Sequence, residues 1–158
     1  MKNEQGFSLV ELLIVVAIIA IIAAIAVPSL LTSRMAANEA GGIQGCRTAA
    51  SAEVAYASTN NQEYTDMATL TTNHYLDDRY ANATGFNGYT YSQDCSAAVI
   101  GAEDLTVATP TGFGIVATPI VGMARYTYGI APDQVVRYQA GDPVPPGMTP
   151  GSGIGKTK

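Results

Sequence analysis

Apolar and polar positions divide the chain into three regimes. A short leader, Met1-Lys2-Asn3-Glu4-Gln5-Gly6, is followed by Phe7-Ser8-Leu9-Val10-Glu11 and then by Leu12 to Val27, sixteen residues without a polar side chain. Counted from Phe7 to Leu31, the largely apolar segment is 25 residues long, more than the roughly 20 a helix needs to cross a bilayer. It predicts a membrane-spanning helix with Ser8 and Glu11 near one interface. The helical period continues through the Ala-rich stretch from Ser29 to Ser58, with Leu30, Leu31, Met35, Ile43, Val54 and Tyr56 as expected packing positions. Thr59-Asn60-Asn61 ends it. A helix from Phe7 to Ser58 would be about 78 Å long at ~1.5 Å per residue, a spine and not part of a compact globule. Pro28 removes one hydrogen bond and is expected to bend this helix. Gly41, Gly42 and Gly45 each cost up to ~1 kcal/mol relative to Ala. They read as local irregularity, as a close helix–sheet contact or as a flexible joint.

The period changes after the helix. Residues 59–87 are polar and irregular, with Thr65 to Leu70 and Tyr75 to Tyr80 as candidate short helical turns. Alternation then predicts strands at Tyr89–Ser92, Gly112–Thr118, Arg125–Tyr128 and Val135–Tyr138, the last two flanking a Gly129–Gln134 loop. These form one antiparallel sheet of about four strands in region 88–139. It is expected to cover the apolar side of the Ala-rich helix, which otherwise buries against nothing. The Pro- and Gly-rich segment 140–158 reads as a flexible tail. The fold class is α+β.

Composition narrows the functional classes. Charged residues make up only 13% and the net charge is −5, so there is no basic face with which to coat nucleic acid. One histidine and two cysteines cannot supply a closed four-ligand Cys/His zinc site. No catalytic constellation, metal site or cofactor is expected.

The run Gly6-Phe7-Ser8-Leu9-Val10-Glu11-Leu12-Leu13-Ile14-Val15-Val16-Ala17-Ile18-Ile19 resembles the processing and assembly segment of type IV pilins and pseudopilins, in the short-leader branch. The resemblance covers residues 1–35. It implies a pilin-like fold, with a helical spine, membrane-spanning in its first half (7–31) and amphipathic beyond (32–58), packed on the sheet. It also implies cleavage of leader 1–6 after Gly6 by a prepilin peptidase, and N-methylation of the new terminus, Phe7. Glu11 becomes the fifth mature residue, and Pro28 falls where relatives have a helix-bending proline. A carboxylate in an apolar helix costs roughly 2.5–3.5 kcal/mol at mid-membrane. The resemblance implies that Glu11 meets the Phe7 amine of a neighbouring subunit. Implied partners are further copies of the chain, the peptidase, a membrane platform protein and an assembly ATPase. The implied location is first the inner membrane, then an extracellular filament.

Other readings compete. A type II secretion pseudopilin is the nearest, although this chain has no Trp and no Asp-Pro-Trp-Gly run of the kind common in major pseudopilins. A minor pilin is another. A signal peptide cleaved after Ala26, releasing a secreted binding domain or enzyme, is the alternative from a different class. Cys46 and Cys95 are expected to form a disulfide, since an exported chain with an even pair favours one. Gly151 to Thr157 fails as a phosphate loop because Pro150 stands where a glycine is required and no helix follows. His74 reads as a loop residue. Asp77-Asp78 and Glu103-Asp104 read as surface charge, and Asn82-Ala83-Thr84 as a sequon of little weight in a bacterial-looking chain. The nine tyrosines read as packing residues and not as a conduction path.

Overall fold

The computed structural model describes residues 6–93, 112–138 and 154. Helix α1 (Leu9–Thr59) is followed by α2 (Met67–Thr72), a 3-10 turn (Asp78–Tyr80) and four strands, β1 (Tyr89–Ser92), β2 (Ile115–Pro119), β3 (Tyr128–Ile130) and β4 (Arg137–Tyr138). The strands form an antiparallel sheet in sequential order, β1-β2-β3-β4. Its register pairs Tyr91 with Ala117, Ala117 with Tyr128, and Tyr128 with Tyr138. The chain divides into two units, Met1–Arg34 and Met35–Lys158. The second holds the core.

In that second unit the buried stripe of α1 is Glu39, Gly42, Gly45, Cys46, Ala49, Ala50, Ala52, Glu53 and Ala57. The three-to-four residue spacing is that of one helical face. Small residues dominate it because large ones fill it from the other side: Tyr89, Tyr128, Phe113, Ile115, Leu70 and Ile130 are all essentially inaccessible. The expected packing positions are only partly correct. Ile43 and Tyr56 pack at the edge of the core, whereas Leu30, Leu31 and Val54 are 70%, 54% and 45% exposed.

The glycines are a contact surface. A methyl group on Gly42 would lie 2.7 Å from the Tyr89 ring, and one on Gly45 would lie 2.1 Å from the Tyr91 hydroxyl. The sheet therefore sits on glycine backbone. The rings themselves pack edge-on or tilted, with Tyr80–Tyr91 and Tyr89–Tyr128 centroids 4.9 and 5.8 Å apart. Such pairs add roughly 0.5–1.5 kcal/mol each beyond their buried area. This is the packing role expected of the tyrosines.

Polar pins fix the sheet laterally. Glu39, nearly buried on α1, takes both Nε (2.8 Å) and Nη2 (3.0 Å) of Arg125, the two-pronged geometry that guanidinium gives carboxylates. Asn38 donates to the Met123 carbonyl, and the Tyr89 hydroxyl to that of Tyr126. These bonds explain why β3 starts at Tyr128 and not at the expected Arg125: the preceding connection is committed to the helix and not to the ladder. Likewise the Val135 amide bonds Asp133, so β4 begins only at Arg137, and the β3–β4 loop is shifted from the expected 129–134.

Helix ends follow local chemistry. Asn61 adopts a left-handed φ of 57° and the Gln62 amide reaches back to the Ala57 carbonyl, a six-to-one closure of the α1 terminus. Asp66 caps α2 by accepting from the Thr69 amide. Asp77 caps the 3-10 turn and pairs with the Arg79 guanidinium. His74 lies in a turn with φ 60°. Asn82 accepts from the amide and hydroxyl of Thr84 within its own turn. Ile154, in the expected tail, donates its amide to Val136 and packs at the core edge. The rest of the tail and Glu103-Asp104 lie outside the described residues.

The contact and joint readings of the glycines predict opposite mutational results. Replacing glycine by Ala inside a helix gains up to ~1 kcal/mol of helix propensity, and overpacking a filled site costs ~1–3 kcal/mol. Gly42→Ala and Gly45→Ala should therefore lower the thermal midpoint by several degrees. Gly41→Ala, whose methyl would meet only the exposed Asn87 side chain at 3.1 Å, should be neutral or raise it. A near-ultraviolet circular dichroism melt of the full chain in detergent checks this. Stabilisation by all three would restore the joint.

Candidate functional site

The first unit, Met1–Arg34, is built around residues that bury nothing. Every described side chain from Gly6 to Arg34 is exposed. Among them are Leu9, Leu13, Ile18, Ile22 and Ile25 at 78%, 63%, 52%, 61% and 74%. The mean hydropathy over eighteen residues of this helix reaches 3.2. Length and apolarity together are sufficient to cross a membrane.

The start of α1 is set by a reciprocal cap. Gly6, Phe7 and Ser8 are outside the helix. The Ser8 amide donates to Glu11 Oε2 at 2.9 Å, and the Glu11 amide donates to Ser8 Oγ at 3.2 Å. This is the Ser-x-x-Glu capping box, in which two otherwise unpaired helix-terminal N–H groups are satisfied by each other's side chains. Ser8 is therefore a site residue that the sequence reading passed over. The signal for it was present in the spacing Ser8-Leu9-Val10-Glu11. The cap gives Glu11 a hydrogen-bond donor but no counter-charge. Among the described residues no cation forms a salt bridge with it.

Gly6 has no atom within 4 Å of where a Cβ would stand. Its lack of a side chain answers to no packing need in this fold. Phe7 is 82% exposed beside it, so the Gly6–Phe7 peptide bond is sterically open. Pro28 lies inside α1. It denies the Ala24 carbonyl its helical donor. Just beyond, Thr32 Oγ1 donates to the Ser29 carbonyl at 2.9 Å, and Ser33 Oγ donates to the same carbonyl at 2.9 Å.

Phe7 lies just before α1 and Glu11 in its first turn. The structure leaves Cys46 in the separate core of the second unit, fully buried, with its thiol pushed up to about 12 by that burial. Cys95, its expected disulfide partner, lies outside the described residues. No group of three or more potential metal ligands occurs among the described residues.

A protein-family model described as the prokaryotic N-terminal methylation motif matches residues 1–27. No curated protein matches the chain. The matched span contains the open Gly6–Phe7 bond, the Ser8–Glu11 cap and the uncovered apolar turns. The α+β layout of the whole, a long N-terminal helix with a four-stranded antiparallel sheet packed on its later turns, fits the type IV pilin-like fold. Residues 1–27 thus match the prokaryotic N-terminal methylation motif, the prepilin-type signal found in type IV pilins and pseudopilins.

Proposed function

We propose that this chain is the structural subunit of a type IV pilus-like filament, made as a membrane precursor, cut after Gly6, methylated on Phe7 and polymerised outside the inner membrane. The observation that carries this reading is the matched N-terminal motif on a helix whose apolar side chains the fold leaves uncovered. The motif supports a pilin or a pseudopilin. The absence of Trp and of an Asp-Pro-Trp-Gly run favours the pilus. The same motif supports a role in building a filament.

The assembly step is electrostatic as well as apolar. Cleavage frees an α-amine on Phe7, mostly protonated at neutral pH and still cationic after one methylation. The nearest basic side chain in the processed chain is Arg34, 23 residues beyond Glu11, or about 35 Å along a helix. A Phe7 amine, the chain's own or a neighbour's, is thus the cation within reach, and the neighbour's is the one that the resemblance to type IV pilins implies. Docking removes the cost of an unpaired carboxylate in apolar surroundings. The membrane platform protein and assembly ATPase would supply the machinery and the work. The prepilin peptidase would supply the cut.

Gly6→Val tests the processing claim. The position is open, so the variant should fold and insert. It should remain as uncut precursor, visible on immunoblot as a chain six residues longer than the 152-residue product. Normal filaments from it would contradict the reading.

Two substitutions separate charge from capping. Glu11→Gln keeps the capping box, which accepts Gln as well as Glu, and removes the charge. It should be cut normally and yet give few filaments in shear preparations. Ser8→Ala keeps the charge and weakens the cap by about 0.5–2 kcal/mol. It should assemble much nearer to the wild-type level. Wild-type filament yield from Glu11→Gln would show that apolar packing suffices without the carboxylate.

A further inference from the structure

The run Thr118-Pro119-Ile120-Val121-Gly122-Met123-Ala124 carries one polar side chain, Thr118, and no charge. Its middle is the turn that joins β2 to the chain leading into β3, closed by the Met123 amide on the Ile120 carbonyl at 2.9 Å. Reverse turns are normally built from Gly, Asn, Asp, Ser or Pro. Within Ile120–Met123 only Gly122, with φ 77°, is of that kind. Val121 is 98% exposed and Met123 39%. No atom lies within 4 Å of where a Cβ on Gly122 would stand. One exposed valine needs no explanation. An uncharged apolar turn held clear of its own fold is a contact surface.

The turn has a fixed place in the second unit. Along β1 the residues met on α1 are Gly42 at Tyr89, Gly45 at Tyr91 and, just past the strand, Glu53, which accepts from Gln93 Nε2 at 2.7 Å and from the Thr65 amide at 3.2 Å. β1 therefore runs in the same direction as α1. β2 runs back against it, with Pro119 opposite Tyr89, so the turn emerges at the Met35 end of the unit. Polar bonds hold it there. The Ile120 amide donates to the Gly88 carbonyl at 2.9 Å, Asn38 Nδ2 donates to the Met123 carbonyl at 2.8 Å, and Arg125 pairs with Glu39. The β3–β4 loop, with Val135 37% exposed, emerges at the opposite end of the sheet. Asn38 follows Leu31, the end of the apolar segment, by seven residues, or about 10 Å of helical rise. The interfacial layer on each side of a hydrocarbon core is roughly 5–7 Å deep. The end of the second unit that carries the turn is thus the end tethered next to the apolar segment.

We propose that the Ile120–Met123 turn is a lipid-contact tip, which places the Val121 and Met123 side chains in the interfacial layer of the bilayer that the apolar helix spans before assembly. The tip presupposes the membrane precursor described above and gives it a second point of attachment. A lipid surface suits the turn because the turn offers apolar atoms and no charge, and the Met123 and Ile120 carbonyls already have their donors. A single spanning helix leaves the second unit free to tilt over the membrane. A second contact at the Met35 end limits that tilt, and departure of the helix from the bilayer withdraws the tip with it.

Methyl NMR on the full chain in phosphatidylcholine nanodiscs tests this, with a nitroxide carried on the lipid acyl chain next to the headgroup. The Val121 and Met123 methyls should broaden strongly, and those of Val135 should stay sharp. The Ile22 and Ile25 methyls of the apolar helix, in the same sample, report whether that helix is in the bilayer. Val121→Asp, at a position the fold leaves open, should sharpen Met123 while Ile22 and Ile25 stay broad. Should that variant not fold, the wild-type spectra decide alone. Broad Ile22 and Ile25 beside a sharp Val121 overturns the tip and leaves the membrane precursor standing. Sharp signals at all of them overturn both. Equal broadening of Val121 and Val135 also overturns the tip, as does a Met123 signal that stays broad in a folded Val121→Asp chain. So does a Val121 signal that responds to a second copy of the chain in the disc and not to the labelled lipid.

Discussion

An apolar helical surface that the fold itself does not cover is the constraint on which everything else depends. From Leu9 to Leu31 the large side chains are about half exposed or more. In water such a surface drives association, at roughly 25 cal/mol per Å² removed from solvent. A chain carrying it needs a bilayer or another apolar surface to cover it. The prepilin-type motif across residues 1–27 fits a molecule that uses first the one and then the other. The Ser8–Glu11 cap fits the same logic. It fixes where the helix begins and satisfies two amides without giving the carboxylate a counter-charge.

The second unit solves a different problem, which is how to seat a sheet on a helix at close range. Gly42 and Gly45 remove the side chains that would keep Tyr89 and Tyr91 away, at a cost in helix propensity of up to ~1 kcal/mol each. The return is burial of whole aromatic rings, and Tyr89 and Tyr128 are among the largest fully buried side chains. Glu39–Arg125 and Glu53–Gln93 then fix the lateral position of what the rings only press together. The first is a charge pair at the core edge. The second is a neutral-donor cluster around a buried acid. Cutting either would leave a buried carboxyl without its partners, which is costlier than loss of an exposed ion pair.

Legibility in the sequence followed the strength of the local signal. The apolar run and its length stand out because sixteen apolar residues in a row are a strong local signal, and Gly6, Phe7 and Glu11 lie within the matched motif. β1 was legible to the residue, since Tyr89-Thr90-Tyr91-Ser92 alternates cleanly. The later strands were placed but mis-bounded, because Arg125 and Val135 give their amides to Glu39 and Asp133, an arrangement invisible to alternation. The buried stripe of α1 was the least legible. Its members are Gly, Ala, Cys and two Glu, so a search for large apolar positions settles on Leu30 and Val54, which are exposed. Glu39 and Glu53 carry no local signal that marks them as buried. Their partners lie 86 and 40 residues away. Ser8 was readable in principle from its spacing to Glu11.

The account stands most directly on how the mature protein begins. Intact-mass analysis with N-terminal fragmentation, applied to the main component of sheared surface filaments, reads this in one step. The account predicts a 152-residue chain starting at Phe7, with one methyl group on its amine. A product beginning at Val27 and found free in the medium, with no filament containing the chain, would contradict it.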